Sequence, residues 1–128
     1  MNITEDMKLR LASVKLFLTD VDGTLTDGGM YYSADGDVMK KFNTRDGMGL
    51  QLLQRDGVKV GIITSENTEI VNRRAAKLGV DYLVQGKRFG GKLAAANAIC
   101  DQLGIGTGDV AYIGDDVNCA DLLSAVGV

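Results

Sequence analysis

Four apolar, strand-like runs, each followed by a stretch of helical periodicity, constrain this chain more than any other feature. The runs are Val14 to Thr19, Val58 to Thr64, Asp81 to Val84 and Val110 to Ile113. Helical spacing appears at Asp46 to Arg55, where Met48, Leu52 and Leu53 are expected to face inward, and at Asn67 to Leu78, through Ile70, Val71, Ala75 and Leu78. It recurs at Lys92 to Leu103, through Leu93, Ala96, Ile99 and Leu103, and at Asn118 to Val126. Gly57, Gly79 and Gly104 stop the first three helices. Such alternation implies an α/β fold, a Rossmann-like parallel sheet with right-handed crossovers and flanking helices. One segment breaks the rhythm: residues 29–42 read as a β-hairpin inserted after the first strand, Met30-Tyr31-Tyr32 against Val38 to Phe42, turning at Ala34-Asp35-Gly36-Asp37.

With 128 residues, 45% hydrophobic and 24% charged, the chain suits one domain spanning 1–128, with no room for a second core. Its apolar stretches are short and its first ten residues are mixed polar, so the expectation is a soluble, cytoplasmic protein with no membrane association. Cys100 and Cys119 lack Cys-x-x-Cys spacing and are expected as core or helix-face residues in a reducing compartment. A formal charge of -3 without a basic-aromatic cluster argues against nucleic acid. The chain contains no histidine, which removes Ser-His-Asp hydrolysis, histidine-ligated zinc and imidazole acid-base chemistry together. Carboxylates must carry any proton transfer.

Ligands of an open parallel sheet gather at the carboxyl ends of its strands. Those ends carry Asp20-Val21-Asp22-Gly23-Thr24, then Thr64-Ser65-Glu66, then the loop Gln85 to Lys92, then Gly114-Asp115-Asp116. Asp20 and Asp22 point to the same side of an extended segment, and Gly23 permits a sharp exit, an arrangement that invites a hard divalent cation and a phosphate. Taken alone, Asp-x-Asp-Gly is equally an ordinary turn, Thr64 a strand-end cap, Lys92 a solvated first-turn lysine and Asp115-Asp116 a polar turn. Gly86-Lys87-Arg88-Phe89-Gly90-Gly91-Lys92 imitates a nucleotide-binding loop, but Leu93 stands where such a loop needs Ser or Thr to hold magnesium.

Together these residues resemble the four motifs of the haloacid dehalogenase superfamily of aspartate-nucleophile phosphatases: Asp20-Val21-Asp22-Gly23-Thr24, Thr64, Lys92 and Gly114-Asp115-Asp116-Val117-Asn118, in that order. Within it the chain resembles the small capless, tetrameric branch acting on phosphorylated 3-deoxy-2-keto sugar acids, through Thr26-Asp27-Gly28-Gly29, Lys41-Phe42-Asn43-Thr44-Arg45-Asp46-Gly47 and Gln85-Gly86. The resemblance implies that Asp20 is the nucleophile and Asp22 the acid-base. It implies Mg2+ on Asp20, the Asp22 carbonyl and Asp115, and phosphate held by Thr64, Ser65 and Lys92. Asp116 would anchor Lys92 or a water on the ion, with Asn118 beside it, and the 29–42 hairpin would pack between subunits of a homotetramer.

Glu66, Arg74 and Lys77 stand where this branch reads its substrate. Glu66 favours KDN 9-phosphate over KDO 8-phosphate, whereas Arg45-Asp46-Gly47 pulls toward the KDO side; a solvated helix face is the plain alternative for Arg74 and Lys77. Three departures from the family are visible. The 86–92 loop is two residues longer and its Gly90-Gly91 pair threatens to displace Lys92, Cys119 replaces an aspartate, and the end of the family fold is expected to be missing after Val128. A phospho-receiver domain and a non-catalytic assembly module are the rival readings. Receivers carry their phosphorylated aspartate on the third strand, and assembly modules tend to lose a catalytic acid.

Overall fold

A computed structural model describes residues 2–128. In chain order the elements are α1 (Glu5–Ala12), β1 (Leu16–Thr19), β2 (Tyr31–Ser33), β3 (Gly36–Met39), α2 (Thr44–Arg55), β4 (Lys59–Ile63), α3 (Glu69–Leu78), β5 (Tyr82–Val84), α4 (Gly91–Leu103), β6 (Val110–Ile113) and α5 (Ala120–Ala125). Four strands form one sheet in the order β5-β4-β1-β6, and every neighbouring pair is parallel. Strand alternation divides the core in two. Leu16, Leu18, Ile63, Val110 and Tyr112 face α4 and α5 through Ala96, Ile99, Cys100 and Leu122. On the other face Val60 and Ile62 meet Leu50 of α2 and Val71, Ala75 and Leu78 of α3.

The inward face of α2 differs from the periodicity reading. Gly47 and Leu50 are buried with Leu53 beside them, whereas Met48 and Leu52 are exposed. The cause is a close approach: a Cβ on Gly47 would stand 2.7 Å from Arg74 Nη2 and 2.9 Å from Leu78 Cδ2. A glycine contact set the rotation of this helix, and apolar spacing carries no signal for it. Helix α1 was also not anticipated. It buries no residue and is held locally, by the Thr4 hydroxyl accepting Met7 N–H at 3.2 Å and by Lys8–Glu5 and Arg10–Asp6 pairs at 2.7 and 3.0 Å.

The hairpin is present but shorter than its sequence suggested. β2 and β3 pair antiparallel around Ala34-Asp35, with a bulge between Tyr31 and Tyr32, and leave Met30, Tyr31, Tyr32, Val38 and Met39 exposed. The last predicted helix is broken into a 3₁₀ turn, Val117–Cys119, and the six-residue α5. Beyond it, Tyr112 N–H donates to Val128 O at 3.0 Å and Val128 N–H to Val110 O at 3.3 Å, laying the chain along the outer edge of β6. β1 thus sits between β4, the next strand of this sheet along the chain, and β6; its carboxyl end is the switch point of the sheet.

Candidate active site

Asp20 leaves the end of β1 with its N–H bonded to Ile113 O at 3.0 Å, which ties it to the end of β6. Its Oδ1 accepts Val21 N–H at 2.8 Å, and its Oδ2 lies 2.8 Å from Lys92 Nζ. Both side chains are enclosed, at 6% and 1% exposure. Burial of an ammonium at the start of a helix, where the backbone dipole repels it, requires a strong partner. Asp20 is that partner, and Cys119 is a second: Lys92 Nζ donates to its Sγ at 3.3 Å. The Tyr112 hydroxyl donates to the same sulfur at 3.0 Å, and the thiol reaches Asp20 Oδ2 at 3.4 Å. Burial, then the Cys119 contact and the charges of Asp20 and Asp115, push the Tyr112 phenol well above its ordinary value, so it remains a donor.

The longer 86–92 loop does not displace Lys92. Its extra length bulges outward, with Phe89 exposed and at φ +48°, and Gly90, at φ +85°, returns the chain to α4. Asp22 turns the other way. Its Oδ1 receives Lys40 Nζ at 2.7 Å, and the same amine lies 3.6 Å from Asp37 Oδ2. Lys40 is 1% exposed, Asp22 26% and Asp37 13%, so the cation from β3's end bridges two enclosed carboxylates. Burial works to lower the Lys40 pKa, but the hydrogen bond to Asp22 and the charges of Asp22, Asp37 and Glu66 raise it overall. The sequence singled out neither Lys40 nor Asp37; no motif distinguishes a lysine that will fold under a hairpin.

The Asp115 carboxylate rests on Gly23, in the space that a Cβ there would occupy, and Gly23 has φ +81°. The first acidic motif and the last are therefore in contact across the sheet. Among the described residues, no three acidic or thiol side chains gather closely enough to hold a metal by themselves. As a trio of carboxylates, Asp20, Asp22 and Asp115 are not assembled, because Asp22 has committed its side chain to Lys40. The residues that could hold a cation at this strand end are Asp20, Asp115 and the main-chain oxygen of Asp22. Such a mixed oxygen set suits a small hard cation that keeps several waters.

Thr64 follows β4 and is buried, its N–H donating to Val84 O and its carbonyl accepting Lys87 N–H, both at 3.0 Å. Ser65 Oγ beside it is buried without a partner. Glu66 lines a cleft of about 410 Å³ between the hairpin and the start of α3, with Tyr32, Asp37 and Thr68, and is paired to Arg88 at 3.2 Å. Arg88 is a further residue that sequence reasoning missed. Arg74 and Lys77 do not join Glu66. They flank a separate depression with Val38, Met39 and Phe42, and Arg74 is occupied by Asn43 O at 3.2 Å and by the Phe42 ring at 5.4 Å. Asp116 is not the anchor of Lys92 either: its Oδ2 accepts Asn118 Nδ2 at 2.8 Å, the bond that chiefly lowers its pKa, and it is exposed.

A family model for haloacid dehalogenase-like hydrolases matches residues 44–127, the segment that carries Thr64, Lys92, Asp115 and Asp116. The 3-deoxy-D-manno-octulosonate 8-phosphate phosphatase KdsC of Escherichia coli is 34% identical over 126 residues, 98% of this chain. The chain spans 66% of the length of that relative. Among solved structures, a probable YrbI family phosphatase from Pseudomonas syringae superposes with a TM-score of 0.91 at 40% identity, covering 98% of this chain and 70% of the other. The 3-deoxy-D-manno-octulosonate 8-phosphate phosphatase of Moraxella catarrhalis, solved with magnesium, phosphate and KDO, superposes at 0.86 with 38% identity, covering 93% and 67%.

Proposed function

The chain belongs to the haloacid dehalogenase-like hydrolases, and from that premise we propose that it is a magnesium-dependent phosphomonoesterase acting on KDO 8-phosphate through an aspartyl-phosphate. The observation that carries the reading is the enclosed Asp20–Lys92 contact at 2.8 Å. It sets a nucleophilic oxygen and a phosphate-neutralising cation side by side at the end of the central strand.

Each residue then has a task. An Asp20 carboxylate oxygen attacks phosphorus in line, the new acyl-phosphate P–O bond forms, and the ester P–O bond to the sugar breaks. Asp22 passes a proton to the departing sugar oxygen; a water then attacks phosphorus and gives its proton to Asp22, releasing phosphate and free Asp20. Lys92, the Thr64 hydroxyl and the Ser65 backbone N–H receive the remaining phosphoryl oxygens, and the fixed placement of these donors favours the charge distribution of the transition state. Magnesium, held by Asp20, Asp115 and the Asp22 carbonyl, would offset the repulsion between carboxylate and phosphate that otherwise opposes their approach.

Substrate choice reverses the order drawn from Glu66 alone. The E. coli and M. catarrhalis relatives are named for KDO 8-phosphate, and here the Glu66 carboxylate is paired with Arg88. KDN 9-phosphate is the second reading, favoured by the position of Glu66 in the cleft beside the hairpin. The exposed Met30, Tyr31, Tyr32, Val38 and Met39 make the hairpin the surface through which a homotetramer would assemble. A cytoplasmic setting belongs to the same reading, supported by two unpaired, buried cysteines. Among the described residues no helix is long and apolar enough to cross a membrane.

The test is phosphate release from KDO 8-phosphate, KDN 9-phosphate and N-acetylneuraminate 9-phosphate, with and without magnesium. KDO 8-phosphate should turn over fastest, chelation should stop the reaction, and Asp20→Asn should reduce kcat by at least about three orders of magnitude. Preference for a nonulosonate 9-phosphate would restore the second reading. Undiminished turnover by Asp20→Asn would end the proposal.

A further inference from the structure

We propose that Cys119 is a positioning residue for Lys92 and Asp20, a buried hub whose sulfur fixes both groups. The inference rests on the phosphatase reading for its consequence, though not for its geometry. The sulfur is fully buried and lies within hydrogen-bond distance of three functional groups: Tyr112 OH at 3.0 Å, Lys92 Nζ at 3.3 Å and Asp20 Oδ2 at 3.4 Å. The space it fills is held open by a glycine, since a Cβ on Gly114 would stand 2.6 Å from the sulfur and 2.8 Å from the Tyr112 hydroxyl.

Direction follows from donor chemistry. Lys92 and the Tyr112 hydroxyl donate to sulfur, which leaves the S–H to point at Asp20 Oδ2. Asp20 is then gripped at both oxygens, by Val21 N–H on Oδ1 and by the ammonium and thiol on Oδ2. Its carboxylate cannot swing about the Cβ–Cγ bond without breaking one of these contacts. Lys92 spends two N–H donors on Asp20 and Cys119 and has a third for a phosphoryl oxygen. A residue serving only to pack this corner would have no need of an acceptor, and an apolar replacement would strand two buried donors.

The experiment compares Cys119→Ala, Cys119→Val, Cys119→Ser and Tyr112→Phe in the full chain. It measures kcat and KM with KDO 8-phosphate and with p-nitrophenyl phosphate, thermal melting, and the 15N resonance of the Lys92 ammonium. Ala and Val should lower kcat by about ten- to hundredfold, the loss of a hydrogen bond to a charged group, with KM close to the parent value. Ser, which donates and accepts as the thiol does, should restore most of kcat, and Tyr112→Phe should fall between. The ammonium resonance should be sharp and slowly exchanging in the parent and Ser proteins and broadened in Ala and Val. Parent-like kcat in Val, or a loss across all variants that merely follows their melting temperatures, overturns the proposal. If the parent protein releases no phosphate while the ammonium resonance behaves as stated, the phosphatase reading fails and the positioning geometry stands.

Discussion

Lys40→Met removes the cation that bridges Asp22 and Asp37 while keeping the length of an apolar stem. Deleting one partner of a fully buried pair costs about 3–5 kcal/mol, because an uncompensated charge stays behind. Asp22 is 26% exposed, so water relieves part of this, and about 2–3 kcal/mol is the expected loss at neutral pH. Two carboxylates then face each other, and neither Asp37 oxygen has a hydrogen-bond partner among the described residues. For a chain of this size the melting temperature should fall by roughly 6–12 °C. The Lys40 pKa is raised above its ordinary 10.5, and a raised basic group stabilises fully below its unfolded value and loses that contribution as pH rises through its folded value. The gap between parent and variant should therefore stay constant between about pH 7 and pH 10 and close only at higher pH. Urea unfolding followed by circular dichroism at several pH values reads both quantities. A loss under about 1 kcal/mol, or a gap that closes between about pH 7 and pH 9, would refute the bridging account.

Gly23→Ala should be far more damaging to function than its size suggests. A Cβ there would collide with the Asp115 carboxylate at a backbone φ of +81°, so apparent magnesium affinity measured by activity titration should weaken at least about tenfold, and unchanged affinity would remove Asp115 from the cation set. Asp81→Asn tests the far end of the sheet. Burial raises the Asp81 pKa, but Val60 N–H at 2.9 Å, Gln54 and Lys59 lower it overall. A lowered acid stabilises above its unfolded value and loses that contribution as pH falls through its folded value, so the variant should lose about 1 kcal/mol at neutral pH and nothing once pH lies below the folded value. Gly47→Ala should lower the melting temperature despite alanine's better helix propensity, because its Cβ meets Arg74 and Leu78; a stabilised variant would contradict the packing described for α2.

The parallel sheet was legible because its strands are short apolar runs ended by polar residues, and β6 matches Val110 to Ile113 without adjustment. The face of α2 was not, since it depends on which residue lacks a side chain opposite Arg74 and Leu78. Helix α1 leaves no apolar periodicity in the sequence because it buries nothing and is held by charge pairs at helical spacing. At the site, strand-end acids announced themselves by position. Lys40 did not, because its importance comes from a hairpin folding over Asp22, a long-range contact with no local trace. Cys119 was noticed as a missing acid, and only its three polar neighbours show that a thiol can occupy that corner productively.

The placement of β1 between β4 and β6 bears on how the protein is made. A nascent chain can pair β1 with β4 once β4 has left the ribosome, but the other edge of β1 stays open until β6 emerges. The Gly23–Asp115 contact likewise waits until Asp115 has emerged, 92 residues after Gly23. A chain halted before β6 thus keeps an adhesive strand edge and an acidic motif still separated from its distant carboxylate.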